Sequence, residues 1–348
     1  DTESAIDQVP VIIPKRAVTS YVLWSAVAAI CSCSLIYFGW MNWGSTAKLE
    51  QEIPFGRLDP VSSMDGLEFY HSTSADGRYL AYSHSRDLDS SSSLVVQDIE
   101  TLEKQVIKSS ENSNLIGPIW HPNGNALVYQ QLKRKVNCEI RLLRFDAQFK
   151  VQSDDLLTKC GANSMGARMS WSPDGRYLVY PDWQDKSNNI ALMLYPMDGG
   201  KIEQLTMPPE TSIGDFAAAF SHDGNYLAFI RDVAGAAGQI WLMNFQDRSI
   251  QMLIQPQGIY PGQVAWMPNT DEILFSSGNN ELSVVDVHSK QSKVFAYTDN
   301  KAGEVIISSK GRIFASVGKL WQSSIRRINN PLKNKQSVDE IMQQASRG

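Results

Sequence analysis

The chain has 348 residues, a formal net charge of −5 and a pI near 5.6. That balance excludes the basic face a nucleic-acid surface within this segment would need, and 43% hydrophobic with 20% charged residues excludes a disordered chain. The four cysteines form no Cys-x-x-Cys pair, so no zinc ribbon is encoded.

Residues 1–16 are polar, broken by proline and end in Lys15-Arg16. They read as a linker, and because the chain begins at Asp1 a preceding segment is expected. Residues 17–43 carry no charge. Their most apolar part, Val18 to Phe38, is long enough as a helix to cross a hydrocarbon core of about 30 Å. Trp40 and Trp43 sit where an interfacial aromatic belt would lie. Lys15 and Arg16 precede the run, whereas Lys48 is balanced by Glu50, so the positive-inside rule places residues 1–16 in the cytoplasm and the rest outside. A cleaved signal would need a small-x-small site after the apolar core, and Tyr37 and Trp40 follow instead. A lipoprotein signal would need a small residue before Cys31, and Ile30 stands there. The expected reading is one transmembrane helix over 17–43 and a juxtamembrane linker over 44–51.

Beyond it one unit recurs. S-P-D-G-R-Y-L-V-Y from Ser172 reads as a tight turn feeding an apolar strand. Related stretches begin at Ser74, His121, Ser221, Met267 and Ser308, spaced by 47, 51, 49, 46 and 41 residues in chain order. A period of roughly 40–50 residues built from strands marks a β-propeller. The turn positions are Asp76-Gly77, Asn123-Gly124, Asp174-Gly175, Asp223-Gly224 and Lys310-Gly311. In the fourth unit the strands read as 215–220, 226–230, 239–245 and 250–254. A third-strand pattern recurs at Ser93, Cys138, Asn189, Gln239, Glu281 and Lys319.

The sixth unit lacks a good fourth strand, because Arg326 to Pro331 is charged, Asn-rich and Pro-terminated. Leu58 precedes Asp76 by the same 18 residues that separate Leu205 from Asp223. Pro54 to Asp59 therefore reads as an outer strand that completes the last blade and removes an open sheet edge. The fold class is all-β: a six-bladed propeller over 52–330 with N-terminal strand closure, preceded by the single helix. The tail 331–348 carries a capping-box signature at Ser337 to Glu340 suited to a short helix.

Chemistry is sparse. A turn centred near residue 149 would place Cys138 opposite Cys160, in disulfide register and in a compartment that permits oxidation. Independent buried thiols are the alternative. His121 and His222 sit at turns and follow the blade period, not a metal-ligand spacing. The nearest approach to G-x-S-x-G, Gly161 to Gly166, has one residue too many before Ser164. No catalytic residue, cofactor site or metal ligand is assigned, and no enzyme activity is expected.

The S-P-D-G-R-Y-L-x-Y unit with its closing L-T, best seen at Trp171 to Gly175 and Gln204 to Thr206, resembles the TolB-type propeller repeat, which also occurs in prolyl-oligopeptidase-type enzymes. The order linker, inward-to-outward span, propeller resembles membrane-bound winged-helix transcriptional regulators of the ToxR/CadC type. That resemblance implies a bacterial inner-membrane protein with a periplasmic sensor propeller and an unnamed periplasmic ligand or protein partner. It also implies a homodimer, and DNA contact only through a winged helix before Asp1. A membrane-tethered TolB-like envelope scaffold and the accessory propeller of a peptidase are the alternatives.

Overall fold

The structure is a computed structural model. It describes residues 58–328, apart from 63, 88–89, 134–136, 162–167, 185–188, 234–237, 257–260, 269, 277–279, 299–301 and 320–321. The linker with Lys15 and Arg16, the span 17–43, the juxtamembrane stretch and the tail lie outside the described residues. Among the described residues there is no helix, so none is long and apolar enough to cross a membrane.

All described strands belong to the compact unit 53–348. They form antiparallel sets of four. The first is β2 (Leu67–Thr73), β3 (Tyr79–Ser85), β4 (Ser93–Asp98) and β5 (Lys104–Lys108). The second is β6 (Asn114–Trp120), β7 (Ala126–Lys133), β8 (Asn137–Phe145) and β9 (Val151–Cys160). The third is β10 (Ser170–Trp171), β11 (Tyr177–Gln184), β12 (Asn189–Pro196) and β13 (Glu203–Gln204). The fourth is β14 (Gly214–Phe220), β15 (Tyr226–Asp232), β16 (Gln239–Asn244) and β17 (Ile250–Ile254), joined to the third by a single parallel bridge, Ile190 to Gly214. The fifth is β18 (Val264–Trp266), β19 (Glu272–Ser276), β20 (Glu281–Asp286) and β21 (Ser292–Tyr297). The last is β22 (Ala302–Ile307), β23 (Ile313–Lys319) and β24 (Gln322–Ile328), with β1 (Leu58–Pro60) on its edge.

Burial explains the repeat. The second strand of each set is covered on both faces by its neighbours, so it reads as a continuous apolar run: Leu80-Ala81-Tyr82, Leu127-Val128-Tyr129, Leu178-Val179-Tyr180 and Leu227-Ala228-Phe229 are all buried. The fourth strands face water, and in β5 and β17 the first three residues are exposed. The gradient runs from buried inner strands to wet outer edges.

β1 pairs antiparallel with β24, Leu58 with Ile328, Asp59 with Arg327 and Pro60 with Arg326. Asp59 and Arg327 also meet as an ion pair at 3.5 Å, and the Val61 and Ser62 amides both donate to the Ile325 carbonyl. Pro60 lies on an edge, where its missing N–H removes no ladder bond. The expected third-strand start at Lys319 is corrected. β23 runs through Lys319 and β24 begins at Gln322. Ile325 and Ile328, both buried, set the inward face, so Arg326 and Arg327 belong to the strand despite their charge.

β8 and β9 bring Cys138 opposite Cys160, and the two are joined by a disulfide with Cα atoms 4.8 Å apart. The tight end of this hairpin is at Asp146 to Lys150, centred one residue earlier than the expected 149. Two register shifts, at Ile140/Arg141 and Arg144/Phe145, each take up one extra residue of β9 and restore the pairing.

Candidate functional site

The inner strands are not regular. β2, β6, β14 and β22 each carry a register shift against the second strand of their set. At three of these bulges a residue takes left-handed backbone: Tyr70 (φ 51°), Gly117 (φ 64°) and Ala217 (φ 52°). A bulge places two residues opposite one and re-aims both side chains. In β6 and β14 the pairs are small, Gly117-Pro118 and Ala217-Ala218. In β2 and β22 they are Tyr70-His71 and Gly303-Glu304, and these carry the polar groups.

Those groups meet. A Glu304 carboxylate oxygen accepts the Tyr70 backbone N–H at 2.6 Å and lies 3.6 Å from His71 Nδ1. Its other oxygen is 3.7 Å from Arg168 Nε, and the Arg168 guanidinium sits 6.0 Å from the Tyr70 ring centroid. The cluster thus ties the first, third and last strand sets together. Glu304 and His71 are both buried. Burial pushes the Tyr70 phenol above its ordinary pKa, the Glu304 charge adds to this, and Arg168 opposes it. Neither ring nitrogen of His71 makes a hydrogen bond. An unpaired buried polar group costs about 1–3 kcal/mol, so such groups in a folded protein call for an explanation.

His71 also lines a cavity of about 250 Å³ to which every inner strand contributes. His71, Trp120, Trp171, Phe220, Trp266 and Ile307 supply much of its wall, with His222 and Gln263 beside them. Among the described residues no Asp, Glu, Lys or Arg lines it. Trp266 donates its indole N–H to the Ala219 carbonyl at 3.0 Å. The Trp120 and Trp171 indole nitrogens are buried without a partner. A second hollow of about 540 Å³ lies between the turns at Asp76 and Asn123. Its carboxylates are engaged locally: Asp76 accepts from Ser74 Oγ and the Arg78 amide, and Asp146 accepts from the Gln148 and Lys150 amides.

The repeat turns have one shared geometry. Ser172 Oγ donates to Asp174 Oδ1 at 2.6 Å and accepts the Tyr177 amide at 2.9 Å, while the Arg176 amide donates to the same carboxylate at 3.0 Å. Ser74 with Asp76, and Ser221 with Asp223, repeat it. Gly77, Gly124, Gly175, Gly224 and Gly311 all have φ between 65° and 82°. At Asn123 the Asn125 amide donates to the side-chain oxygen at 3.4 Å; Lys310 at the last turn has no such carboxylate to offer. Burial would raise the Asp174 carboxyl, but the Ser172 hydroxyl, the Arg176 amide and the Arg176 guanidinium outweigh it and hold its pKa at about 2. Asp76 and Asp223 are likewise lowered. The work of these aspartates is turn geometry.

Asp215 on β14 and Arg231 on β15 form a buried fork at 2.7 and 2.8 Å, with the guanidinium 4.5 Å from the Trp241 ring centroid. Among the described residues no group of three His, Cys, Asp or Glu is placed to hold a metal ion. Sequence reasoning did not single out Glu304, Arg168, Tyr70 or His71. Their signal was weak: Glu304 is the charged residue of A-G-E-V-I-I, whereas His71 shares L-E-F-Y-H-S-T with Glu68, and Arg168 precedes β10.

No family model matches the chain, and no curated protein matches it. Solved structures do. A putative TolB from Agrobacterium tumefaciens aligns at 15% identity over 79% of this chain and 96% of that one, with a TM-score of 0.58. TolB from Acinetobacter baumannii aligns at 18% identity over 67% of this chain, with a TM-score of 0.53, and the match spans only 55% of that protein's length. An oligogalacturonate lyase from Vibrio parahaemolyticus aligns at 10% identity over 81% and 95% of the two chains, with a TM-score of 0.54. At such identities the likeness concerns fold, and by its fold this chain is a TolB-like β-propeller.

Proposed function

We propose that residues 58–328 are the receiving domain of a membrane-tethered one-component transcriptional regulator. In this reading the propeller is a ring of six blades, closed by β1 on β24. It stands in the periplasm of a bacterium, held to the inner membrane by the 17–43 helix with residues 1–16 in the cytoplasm. A winged helix before Asp1 makes the DNA contact, and a homodimer relays the signal. In this reading the propeller binds a periplasmic ligand or protein and has no catalytic role of its own.

The observation that carries the reading is the order of parts. An uncharged apolar run ends at residue 43, and the strand beginning at Leu58 is already fastened to the last strand of the propeller. The disulfide on β8 and β9 supports an oxidising compartment. The polar cluster spanning three strand sets supports a ring that responds by binding rather than by bending. A TolB-like fold also suits an envelope scaffold with no DNA-binding part.

The test uses the full-length protein expressed from its own gene with the upstream coding region intact. The expected result is carbonate-resistant membrane association, labelling of propeller cysteines by an impermeant maleimide only after the outer membrane is opened and disulfides are reduced, and enrichment of discrete promoter DNA on crosslinking. Membrane association without DNA enrichment would leave the scaffold reading in its place.

A further inference from the structure

The repeat turns close on one another, and at one junction they do not. A Cβ added at Gly175 would meet the His121 ring of the preceding unit at 2.8 Å. At Gly224 it would meet Pro173 at 3.4 Å, at Gly311 Pro268 at 3.4 Å, and at Gly77 Lys310 of the last unit at 3.4 Å. At Gly124 it would meet nothing within 4 Å. The cause is one small residue. The second place of the turn motif is held by Pro122, Pro173, His222, Pro268 and Ser309 in five units and by Ala75 in the first. Ala75 is exposed, and its carbonyl accepts from Ser309 Oγ at 2.6 Å, which ties it to the last unit and not to Gly124.

The gap so left is the hollow of about 540 Å³ between the turns at Asp76 and Asn123, within the range of roughly 300–1,000 Å³ usual for small-molecule sites. Part of its wall is aromatic. Tyr79 and Phe149 are half-buried and meet edge to face at 4.8 Å, with the buried Phe145 ring 5.4 Å from Phe149. Its rim is polar and open to water: Asp76, Arg78, Asn123 and Asn125 are all exposed. The charges there are already matched. Asp76 accepts from Ser74 Oγ and the Arg78 amide, Arg78 Nε pairs with Asp98 at 2.8 Å, and Asp146 takes the amides of its own hairpin. The carboxamides are not matched. Among the described residues the Asn125 side chain makes no hydrogen bond, and the Asn123 side chain only accepts the Asn125 amide at 3.4 Å. A carboxamide both donates and accepts, as a hydroxyl does. The negative face of an aromatic ring attracts C–H hydrogens. Spare carboxamides beside aromatic rings, with no unmatched charge, fit a neutral ligand that carries hydroxyls on a C–H framework.

We propose that this open junction binds a neutral saccharide, its C–H face against the Tyr79 and Phe149 rings and its hydroxyls hydrogen-bonded to the Asn123 and Asn125 carboxamides. The site stands on the propeller's own geometry and does not rest on the receiving-domain reading. It is tested by binding alone, so its failure leaves the membrane and DNA experiments untouched, and theirs leave it untouched.

The experiment is calorimetric titration of the full chain in detergent with maltose, cellobiose and N,N′-diacetylchitobiose, using citrate and spermidine as the anionic and cationic counterparts. At least one saccharide is expected to bind with a Kd below about 1 mM, and citrate and spermidine at least about tenfold more weakly. Ala75→Pro installs the residue that three other units carry at this place, and it should close the gap and weaken the saccharide by about tenfold or more. The Ala75 amide makes no hydrogen bond among the described residues, so this variant should melt no lower than the parent. Asn125→Ala should weaken the saccharide by about fivefold, the usual effect of losing one neutral hydrogen bond, with the melting point unchanged. If Ala75→Pro melts lower than the parent, Asn125→Ala decides alone. Binding of no saccharide at about 10 mM, equal binding of citrate or spermidine, or unchanged affinity in Asn125→Ala would each overturn the proposal, as would unchanged affinity in a stably folded Ala75→Pro.

Discussion

At the scale of single residues the turns decide what can be changed. Gly175 has φ 70°, and a Cβ there would meet the His121 ring at 2.8 Å. Gly124 has φ 82° with nothing within 4 Å of the same atom. Gly124→Ala therefore costs only the left-handed backbone penalty, about 1–2 kcal/mol. Gly175→Ala adds displacement of the His121 ring and should cost more, a difference that urea denaturation of the two variants measures directly. Asp174 offers a charge test at the same turn. Its folded pKa, about 2, lies below the roughly 3.9 of an unfolded aspartate. The contribution is therefore fully present above about pH 4 and is lost as pH falls through about 2. Asp174→Asn keeps an acceptor and removes the charge. The parent should exceed it in stability at pH 6, by no more than about 1 kcal/mol because the carboxylate is 43% exposed. The gap should close by pH 2, and a gap that widened on acidification would contradict the assignment.

At the scale of elements, what could be read in advance followed periodicity and what could not followed bulges. The second strands were legible because both their faces are buried, which leaves an unbroken apolar run after every turn. The strand sets of the fourth repeat unit fall within two residues of expectation for the same reason. β24 was displaced because Arg326 and Arg327 look like a strand's end, and only the buried spacing of Ile325 and Ile328 shows that they are not. The polar cluster was illegible for a different cause. Tyr70, His71 and Glu304 converge because bulges in β2 and β22 re-aim them; Gly303 is a faint mark of the second, and nothing in the sequence at Tyr70-His71 marks the first. The β8–β9 hairpin combines both cases. Its cysteines pair only because two bulges on β9 offset a turn centred one residue early. The disulfide then encloses a hairpin with a sequence separation of 22. A loop of that size is worth about 3 kcal/mol in chain entropy. Cys138→Ser with Cys160→Ser should lower unfolding free energy by about that amount. Reductant should do the same to the parent and nothing to the variant, as equilibrium denaturation with and without dithiothreitol would record.

For the molecule as a whole, the question is what makes strand sets far apart in the chain behave as one body. Glu304 is the element shared by three of them: it accepts from Tyr70 on β2, faces His71, and pairs with Arg168 just before β10. The apolar clusters, by contrast, lie mostly between neighbouring sets. A sequence-distant carboxylate that ties the first, third and last sets gives these strand sets a shared polar centre. Glu304→Ala leaves the Tyr70 amide without its acceptor and the part-exposed Arg168 without its partner, and a donor left unsatisfied in this way costs about 1–3 kcal/mol. Glu304→Gln keeps an acceptor for the Tyr70 amide and should cost less. If the cluster unites these sets, hydrogen exchange in Glu304→Ala should accelerate together in β3, β11 and β23. If the carboxylate serves β22 alone, only β23 and its neighbours should lose protection. The Tyr70 phenol supplies an independent check. Its raised pKa comes first from burial and then from the Glu304 charge. Removing only the charge, as Glu304→Gln does, should therefore bring the Tyr70 titration down towards its ordinary value without reaching it, followed by absorbance at 295 nm against a Tyr70→Phe control. An unchanged titration would mean that the Glu304 charge does not act on the Tyr70 phenol, and the charge-based part of its role would fall with it.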